Sequence, residues 1–577
     1  MSAKVQKSGS PLALCICALG LMLANTSTAQ VSLKLISRGD QGPLDPCAGI
    51  QQFTPLCLIP NTVGGVLQDN VFTCNLGAQR GAVFVGSEVE PHLAVNPTNP
   101  KRMVAIWQQD RWARLGGGAS VVLAHSFDGG DTWTLTNPLL PFSRCAGAQE
   151  GNPGAYDRSS DPWVLYDKTG ALYSQSLVFD GLSPRPSGAI VISRSSNDGV
   201  SWGFPTTEVT DIVTKEGSGS VPLLDKNSLT ADPLRMGPNG DPVLYATWGL
   251  GTNKSDLYFS RSFDGGETWE ARKKIYTTEG DLPQKVGKNA VLLNGALIKV
   301  MSNGTLVIVF ERNSEKVAFR DFALIRSFDG GKTWEKSVTV IATVNPGQVI
   351  DPELLDASGQ IIPIRDSQGD LAEAATSADR TILYVAFQDA NAAGNVTTAF
   401  VTRSTDVAYP GVGPTFSTPV KVNNSTASAF MPLVHVDAAS GTVGVIYTDM
   451  RNDQPGPVHC NASSCGPLSA DIFLAQFDAA LTPRVNGNLT DSTTWITASK
   501  SIDYRQAPLL FGSGGVVPGG YFLGDYFGLA DSEGNFVMAV ALTNGQCAPA
   551  IPADPNALNI NVCNRTDIYF SKVPVSK

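Results

Sequence analysis

Acidic residues with a polar or aromatic neighbour interrupt the apolar runs of this chain. Glu90 stands two residues before His92, Asp161 precedes Pro162 and Trp163, Asp225 precedes Lys226, Glu311 precedes Arg312, and Asp525 precedes Tyr526. Carboxyl groups gathered in a depression can divide the work of glycoside hydrolysis, one giving a proton and another serving as base or nucleophile. The same oxygen donors suit calcium, which takes carboxylate and carbonyl ligands. Such acids also cap and space strands, since ion pairs collect in polar funnels without doing chemistry. The choice rests on whether the fold brings them together.

The elements that would do so are announced by a repeated phrase, Ser126-Phe-Asp-Gly-Gly-Asp-Thr-Trp133. It returns at Ser262 to Trp269 and Ser327 to Trp334, in weaker form at Ser195 to Trp202, and in decayed form from Ser404. The starting serines lie 69, 67, 65 and 77 residues apart, long enough for one small antiparallel sheet with its loops. Paired glycines supply the positive φ of a tight turn, Ser and Asp can bond its amides, and Trp begins the next strand with a large buried ring. An apolar strand precedes each phrase, and two further strands, Asp471 to Gln476 and Asp567 to Lys572, fit without one. This predicts an all-β, seven-bladed β-propeller with six blades as the alternative. The last unit lacks an outer strand, and Val31 to Ser37 is expected to close the ring there.

With strands lettered A to D outward from the axis, the repeated phrases are C–D turns. The long segments Phe142 to Arg158, Asn345 to Asp370, Asn452 to Pro467 and Thr543 to Arg565 then fall on the opposite face, where a site is expected. A-strand starts and B-strand ends border that mouth. They include Glu90, His92, Asp161, Asp225, Lys226, Asp525 and Tyr526 from the A side, and Gln108, Arg111, Glu311, Arg312, Gln388, Asp449 and Arg451 from the B side.

Composition narrows the class. The chain has 577 residues, a net charge of -10, 57 glycines and 37 prolines, which suits a turn-rich all-β protein and makes nucleic acid or an anionic membrane a poor partner. Lys4 and Lys7 precede the apolar run Leu12 to Ala24 and the small residues Ser27 to Ala29, as in a secretory signal; the run is too short to span a bilayer. Residues 1–29 are therefore expected to be an export signal, 30–88 a cysteine-containing segment with the ring-closing strand, and 89–577 the propeller, secreted or periplasmic. The eight cysteines left after cleavage are expected to form disulfides, with Cys460–Cys465, Cys547–Cys563 and two bridges among Cys47, Cys57, Cys74 and Cys145 suggested by proximity. No Cys/His cluster of zinc type is present and no cofactor is expected, calcium being the one ion the acids would suit. Sequons such as Asn253-Lys-Ser, Asn395-Val-Thr and Asn564-Arg-Thr permit glycosylation.

The Ser-x-Asp-x-Gly-x-Thr-Trp pattern resembles the Asp-box, or BNR repeat, of sialidase-like β-propellers. The phrases Glu90-Pro-His-Leu-Ala-Val-Asn-Pro97, Asp161-Pro-Trp163, Asp225-Lys-Asn-Ser-Leu-Thr-Ala-Asp232 and Gly524-Asp-Tyr-Phe-Gly-Leu529 are similar to those of secreted sialidase-like BNR proteins. The resemblance implies an exo-sialidase-like glycoside hydrolase acting on an extracellular carbohydrate or glycoprotein. A catalytically silent propeller that binds a glycan or protein is the alternative, and an adhesion role a third. Sialidases hold a carboxylate with three arginines beside an Asp acid/base and a Tyr–Glu nucleophile. Their Arg-Ile-Pro phrase is absent here; the nearest strings are Leu58-Ile-Pro60 and Pro363-Ile-Arg365. On this basis Asp161, Asp225, Asp525, Tyr526 and Glu311 are the catalytic candidates. Glu90, His92, Arg158, Lys226, Arg312 and Arg451 are the substrate-binding candidates, with the three arginines converging from blades two, four and six.

Overall fold

The structure is a computed structural model. It describes residues 33–36, short strands at Thr62–Val63 and Val66–Leu67, and 82–576 apart from internal stretches, of which 181–186, 210–222, 455–465, 485–493, 496–501, 512–517 and 544–558 are the longest. The expected export signal, the sequon at Asn253 and every cysteine but Cys145 lie outside the described residues; Cys145 is disulfide-bonded. No helix among the described residues is long and apolar enough to cross a membrane.

Successive strands pair antiparallel, in four- and five-stranded sheets through the middle of the chain and in one thirteen-stranded sheet that joins its first, second and last strand groups. The strands that open them are Ala82–Val95, Arg158–Tyr166, Leu223–Met236, Leu292–Val300, Glu373–Thr376, Ala429–Val436 and Gly528–Ser532. Each pairs with the strand that follows it in sequence. Counted in this way, the described residues hold seven such strand units, in an all-β propeller fold with Asp-box turns. In the last unit, Leu33–Leu35 pairs antiparallel with Thr566–Pro574, setting Leu33 opposite Ser571 and Leu35 opposite Tyr569.

Each repeated turn is held by its own side chains. In the fourth unit Ser327 Oγ donates to Asp329 (2.9 Å) and accepts the Gly331 N–H (2.8 Å), while Asp329 accepts from the Thr333 amide (2.9 Å) and hydroxyl (2.6 Å). Gly331 has a φ of 85° and a second constraint besides: a Cβ there would lie 2.5 Å from the ring of Phe259 in the preceding unit. Trp334 meets the same ring edge-on at 5.1 Å. The turn therefore fastens its blade to the one before it. The first and seventh units are joined by the same device, with Trp133 packed 5.2 Å from Phe570 and a Gly130 Cβ position 2.1 Å from that ring. Lys34 and Lys572 both pair with Asp131 at this seam, at 2.8 and 3.2 Å.

Replacing Asp329 with Ala should cost about 1–2 kcal/mol in urea unfolding, the net worth of the hydrogen bonds removed. Hydrogen bonds from Thr333 and Ser327 outweigh the effect of partial burial and hold the Asp329 carboxyl at about 2, below its ordinary 3.8, and Asp128 behaves alike. A depressed folded-state value means the stabilisation is complete above the ordinary value and disappears as pH falls through about 2. The stability difference between wild type and Asp329→Ala should accordingly shrink between about pH 4 and 2.

Candidate active site at the channel mouth

Five of the seven opening strands share a local irregularity. Pairing register shifts between Val89 and His92, Ser160 and Trp163, Asp225 and Ser228, Asn294 and Leu297, and Phe430 and Leu433. Inside these bulges Glu90, Asp161, Lys226, Gly295 and Met431 have φ values of 53, 48, 51, 63 and 52°. A left-handed Glu, Lys or Met costs energy and persists only where the surroundings demand it, a pattern typical of functional sites.

Lys226 is the hub. Its amide donates to Asp161 Oδ2 at 2.9 Å and to Asp225 Oδ1 at 3.0 Å. Its ammonium pairs with Asp525 and lies 3.9 Å from Glu90 Oε1. Asp525 also pairs with Arg365 at 3.0 Å, and its amide donates to Glu90 at 3.3 Å. Gln108 donates to Glu90 and accepts from Arg111 at 2.9 Å. Ser160 donates to Asp161 at 2.7 Å.

This packing drives the carboxyls into different protonation states. Burial, aided by Asp161 and Asp525, pushes Glu90 up to about 8 against the opposing pull of Lys226. Asp225 reaches solvent, yet the surrounding depression shields it and, with Asp161, Asp525 and Asp370, raises it to about 7. For Asp525 burial opposes ionisation, but Arg365 and Lys226 prevail and hold it at about 2. Burial thus favours the neutral form of Glu90 and Asp225, while Arg365 and Lys226 favour the ionised form of Asp525.

The expected site residues divide into two groups. Glu90, Asp161, Asp225, Lys226, Asp525 and Tyr526 come together. Tyr526 donates to the Pro162 carbonyl at 3.5 Å, and burial with nearby Glu90 and Asp161 raises its phenol well above the usual value, which does not suit a phenolate nucleophile. His92 instead packs its ring 4.2 Å from that of Trp163; burial and Lys299 lower it to about 3. Glu311 is paired with Arg320 at 2.7 Å, and Arg320 donates to the Gln368 carbonyl. The three arginines expected to converge do not share a pocket. Arg158 donates to the Arg114 and Gly116 carbonyls and lies over Trp112, Arg312 is bound bidentately by Asp321 on the adjacent strand, and Arg451 is held by Asp449 over Phe473.

A second cation that reaches the centre, Arg365, sits in the short helix Arg365–Gln368, two residues after the strand Ile361–Pro363. It pairs with Asp370 at 3.1 Å as well as with Asp525. The next residue, Asp366, accepts the Leu523 N–H at 3.0 Å and the Tyr504 hydroxyl at 2.9 Å. Two connections thus lock together and deliver Arg365 and Asp525 to the mouth.

Calcium does not fit these donors, because Lys226 and Arg365 stand among the carboxylates where a divalent ion would need to be. Among the described residues no group of three or more His, Cys, Asp or Glu is arranged for a metal. Below the cluster a void of about 20 Å³, lined by Asp161, Trp163, Lys226, Asn227, Glu373 and Tyr526, has room for one water.

The BNR/Asp-box repeat matches residues 325–336. No curated protein matches the chain. Among solved structures it is similar to the leech intramolecular trans-sialidase at 13% identity, over 63% of this chain and 65% of that one, with a TM-score of 0.37. It is similar to an α-L-arabinanase of Penicillium chrysogenum at 12% identity, over 72% and 93%, with a TM-score of 0.37. A PL25 ulvan lyase aligns at 11% identity, over 82% and 98%, with a TM-score of 0.42. The chain spans just under two thirds of the leech enzyme's length.

Burial raises the Asp366 carboxyl to about 8 despite the hydrogen bonds it accepts. A folded-state value above the ordinary one stabilises at low pH and loses that contribution as pH rises toward about 8. Asp366→Asn, which mimics the protonated form, should unfold within about 1 kcal/mol of wild type at pH 7, and Asp366→Ala about 2–3 kcal/mol earlier. Stability of wild type relative to Asp366→Asn should decline from about pH 4 to 8.

Proposed function

For a chain that its repeats and fold make a sialidase-like Asp-box β-propeller, we propose a glycoside hydrolase in which Asp225 is the proton donor. One observation carries this reading: Asp161 and Asp225 accept from the same Lys226 amide and only Asp225 is open to solvent, its carboxyl being shifted upward while that of Asp525 is shifted downward. Environments that separate the pKa values of neighbouring acids are how glycosidases assign their roles. Asp225 would give its proton to the glycosidic oxygen as the bond to the anomeric carbon breaks. Asp161, which shares the Lys226 amide with it, is the partner carboxylate.

Since both oxygens lie about 3 Å from one nitrogen, they are at most about 6 Å apart, closer than the roughly 6.5–9.5 Å of an inverting pair, which leaves the retaining mechanism. In that mechanism Asp161 attacks the anomeric carbon, and Asp225 then removes a proton from the water that releases the sugar. Arg365 and Lys226 keep Asp525 ionised and fix the cluster. The substrate would be an extracellular glycan, the chain reaching it by the segment at 1–29. A sialoside would have to be met by Arg365 and Lys226, since the three arginines stand apart.

A second reading, a silent glycan-binding propeller, is favoured by the mutual neutralisation of the charges and the small void beneath them.

Purified protein should hydrolyse members of an aryl-glycoside panel with kcat/KM falling as pH rises through about 7, the value at which Asp225 loses its proton. Asp225→Asn should remove that limb and lower the rate roughly 100-fold or more. Dinitrophenyl glycosides, whose leaving group needs no proton, should lose much less. Absence of turnover across the panel would favour the silent reading, and turnover indifferent to Asp225→Asn would end the assignment.

A further inference from the structure

We propose that the groove on the Asp-box side between the second and third units binds an acidic sugar, with Arg194 receiving its carboxylate. The comparison that leads there is internal to the chain. An arginine precedes the box serine in the second, third and fourth units, as Arg194, Arg261 and Arg326. The residue after the box tryptophan donates its amide to that arginine's carbonyl each time: Gly203 at 2.8 Å, Glu270 at 2.9 Å and Glu335 at 3.0 Å. These positions are therefore equivalent.

In the third and fourth units the glutamate grips the guanidinium with both oxygens. The distances are 2.8 and 3.0 Å for Arg261 with Glu270, and 2.9 and 2.7 Å for Arg326 with Glu335. A remaining nitrogen bonds a carbonyl of the following unit, Gly330 for Arg261 and Tyr409 for Arg326. Both arginines are buried, at 7% and 1% exposure. These seams are closed by the protein's own carboxylate.

The second unit lacks that carboxylate. With Gly203 in the glutamate's place, Arg194 is exposed and makes no hydrogen bond or ion pair among the described residues. The space stands open as a groove of about 690 Å³ lined by Tyr173, Ser193, Arg194, Ser201, Trp202 and the third unit's Gly265. Glu267 also lines it and forms no pair with Arg194. That volume lies within the range of about 300–1,000 Å³ for small-molecule sites and far exceeds a carboxylate alone. The guanidinium, which lies 5.8 Å over the buried Tyr173 ring, is suited to a bidentate carboxylate, and the half-buried Trp202 ring and the exposed Ser201 hydroxyl offer an apolar surface and a polar partner for a ring-shaped body. A uronate or sialate has both parts. This site is separate from the channel mouth and does not depend on the reading of that mouth.

The test is binding of D-galacturonate, D-glucuronate and N-acetylneuraminate to the whole protein, followed by saturation-transfer NMR and calorimetry, with D-galactose and N-acetylglutamate as comparators. At least one acidic sugar should bind wild type, neutral galactose should not, and affinity should fall at least about tenfold in both Arg194→Gln and Gly203→Glu, the loss expected of a charge-assisted pair. Gly203→Glu rebuilds the pair seen in the neighbouring units, so its melting temperature should equal or exceed that of wild type and exclude misfolding. No binding by any acidic sugar, binding that survives either substitution, or equal binding of N-acetylglutamate would overturn the proposal.

Discussion

The centre of the molecule is organised on a single residue used twice. Lys226 gives its amide to Asp161 and Asp225 and its ammonium to Asp525 and Glu90, so four carboxyls from the first, second, third and seventh units meet at one side chain and its peptide. The positive φ of 51° makes this double use available, since it redirects the chain within the bulge. An ammonium withdrawn from water is costly unless partners surround it. Here the partners raise the lysine well above its ordinary value even though burial opposes it. The cluster needs the ring to bring its members together, and the ring gains charge pairing across its hub.

Much of this was legible in the residues. The boxes are local devices whose Ser, Asp, Gly and Thr bond one another within eight residues, so their text implies their geometry. The inner-strand acids were legible for a related reason: Glu90-Pro91 and Asp161-Pro162 stand at matching places in successive units. Arg365 was hidden because its role comes from a loop docking, through Asp366, on the backbone of Leu523 and Gly524, a contact that no local pattern announces. The expected arginine triad failed for the opposite reason. Arg312 faces Asp321 directly across a strand pair, and Arg451 has Asp449 two residues away, so each guanidinium finds a carboxylate before it can reach the axis.

The two faces follow different rules. On the box face, sequence repetition produces repeated contacts, and departures from the repeat, as at Gly203, stand out against their neighbours. At the mouth the units contribute different residues, Glu90, Asp161, Lys226, Gly295 and Met431, to one kind of bulge. Gly295 there leaves room for Leu371, whose side chain would lie 2.5 Å from a Cβ. A common backbone solution with individual side chains allows an asymmetric site inside a pseudo-symmetric scaffold.

The pairing of Leu33–Leu35 with Thr566–Pro574 has a consequence for how the molecule is made. Its two halves come from opposite ends of the chain, so the contact is about as non-local as this sequence permits, and non-local pairing is slow to form. During synthesis the early segment has no partner until nearly all the rest has emerged, and until then the Trp133 face of the first unit lacks the Phe570 ring that covers it. Assembly is thus biased toward an all-at-once finish: Thr566–Pro574 completes its own sheet, seats Phe570 against Trp133 and gives residues 33–35 somewhere to go. The molecule is most vulnerable to sticking to its neighbours just before that moment, and least vulnerable immediately after it.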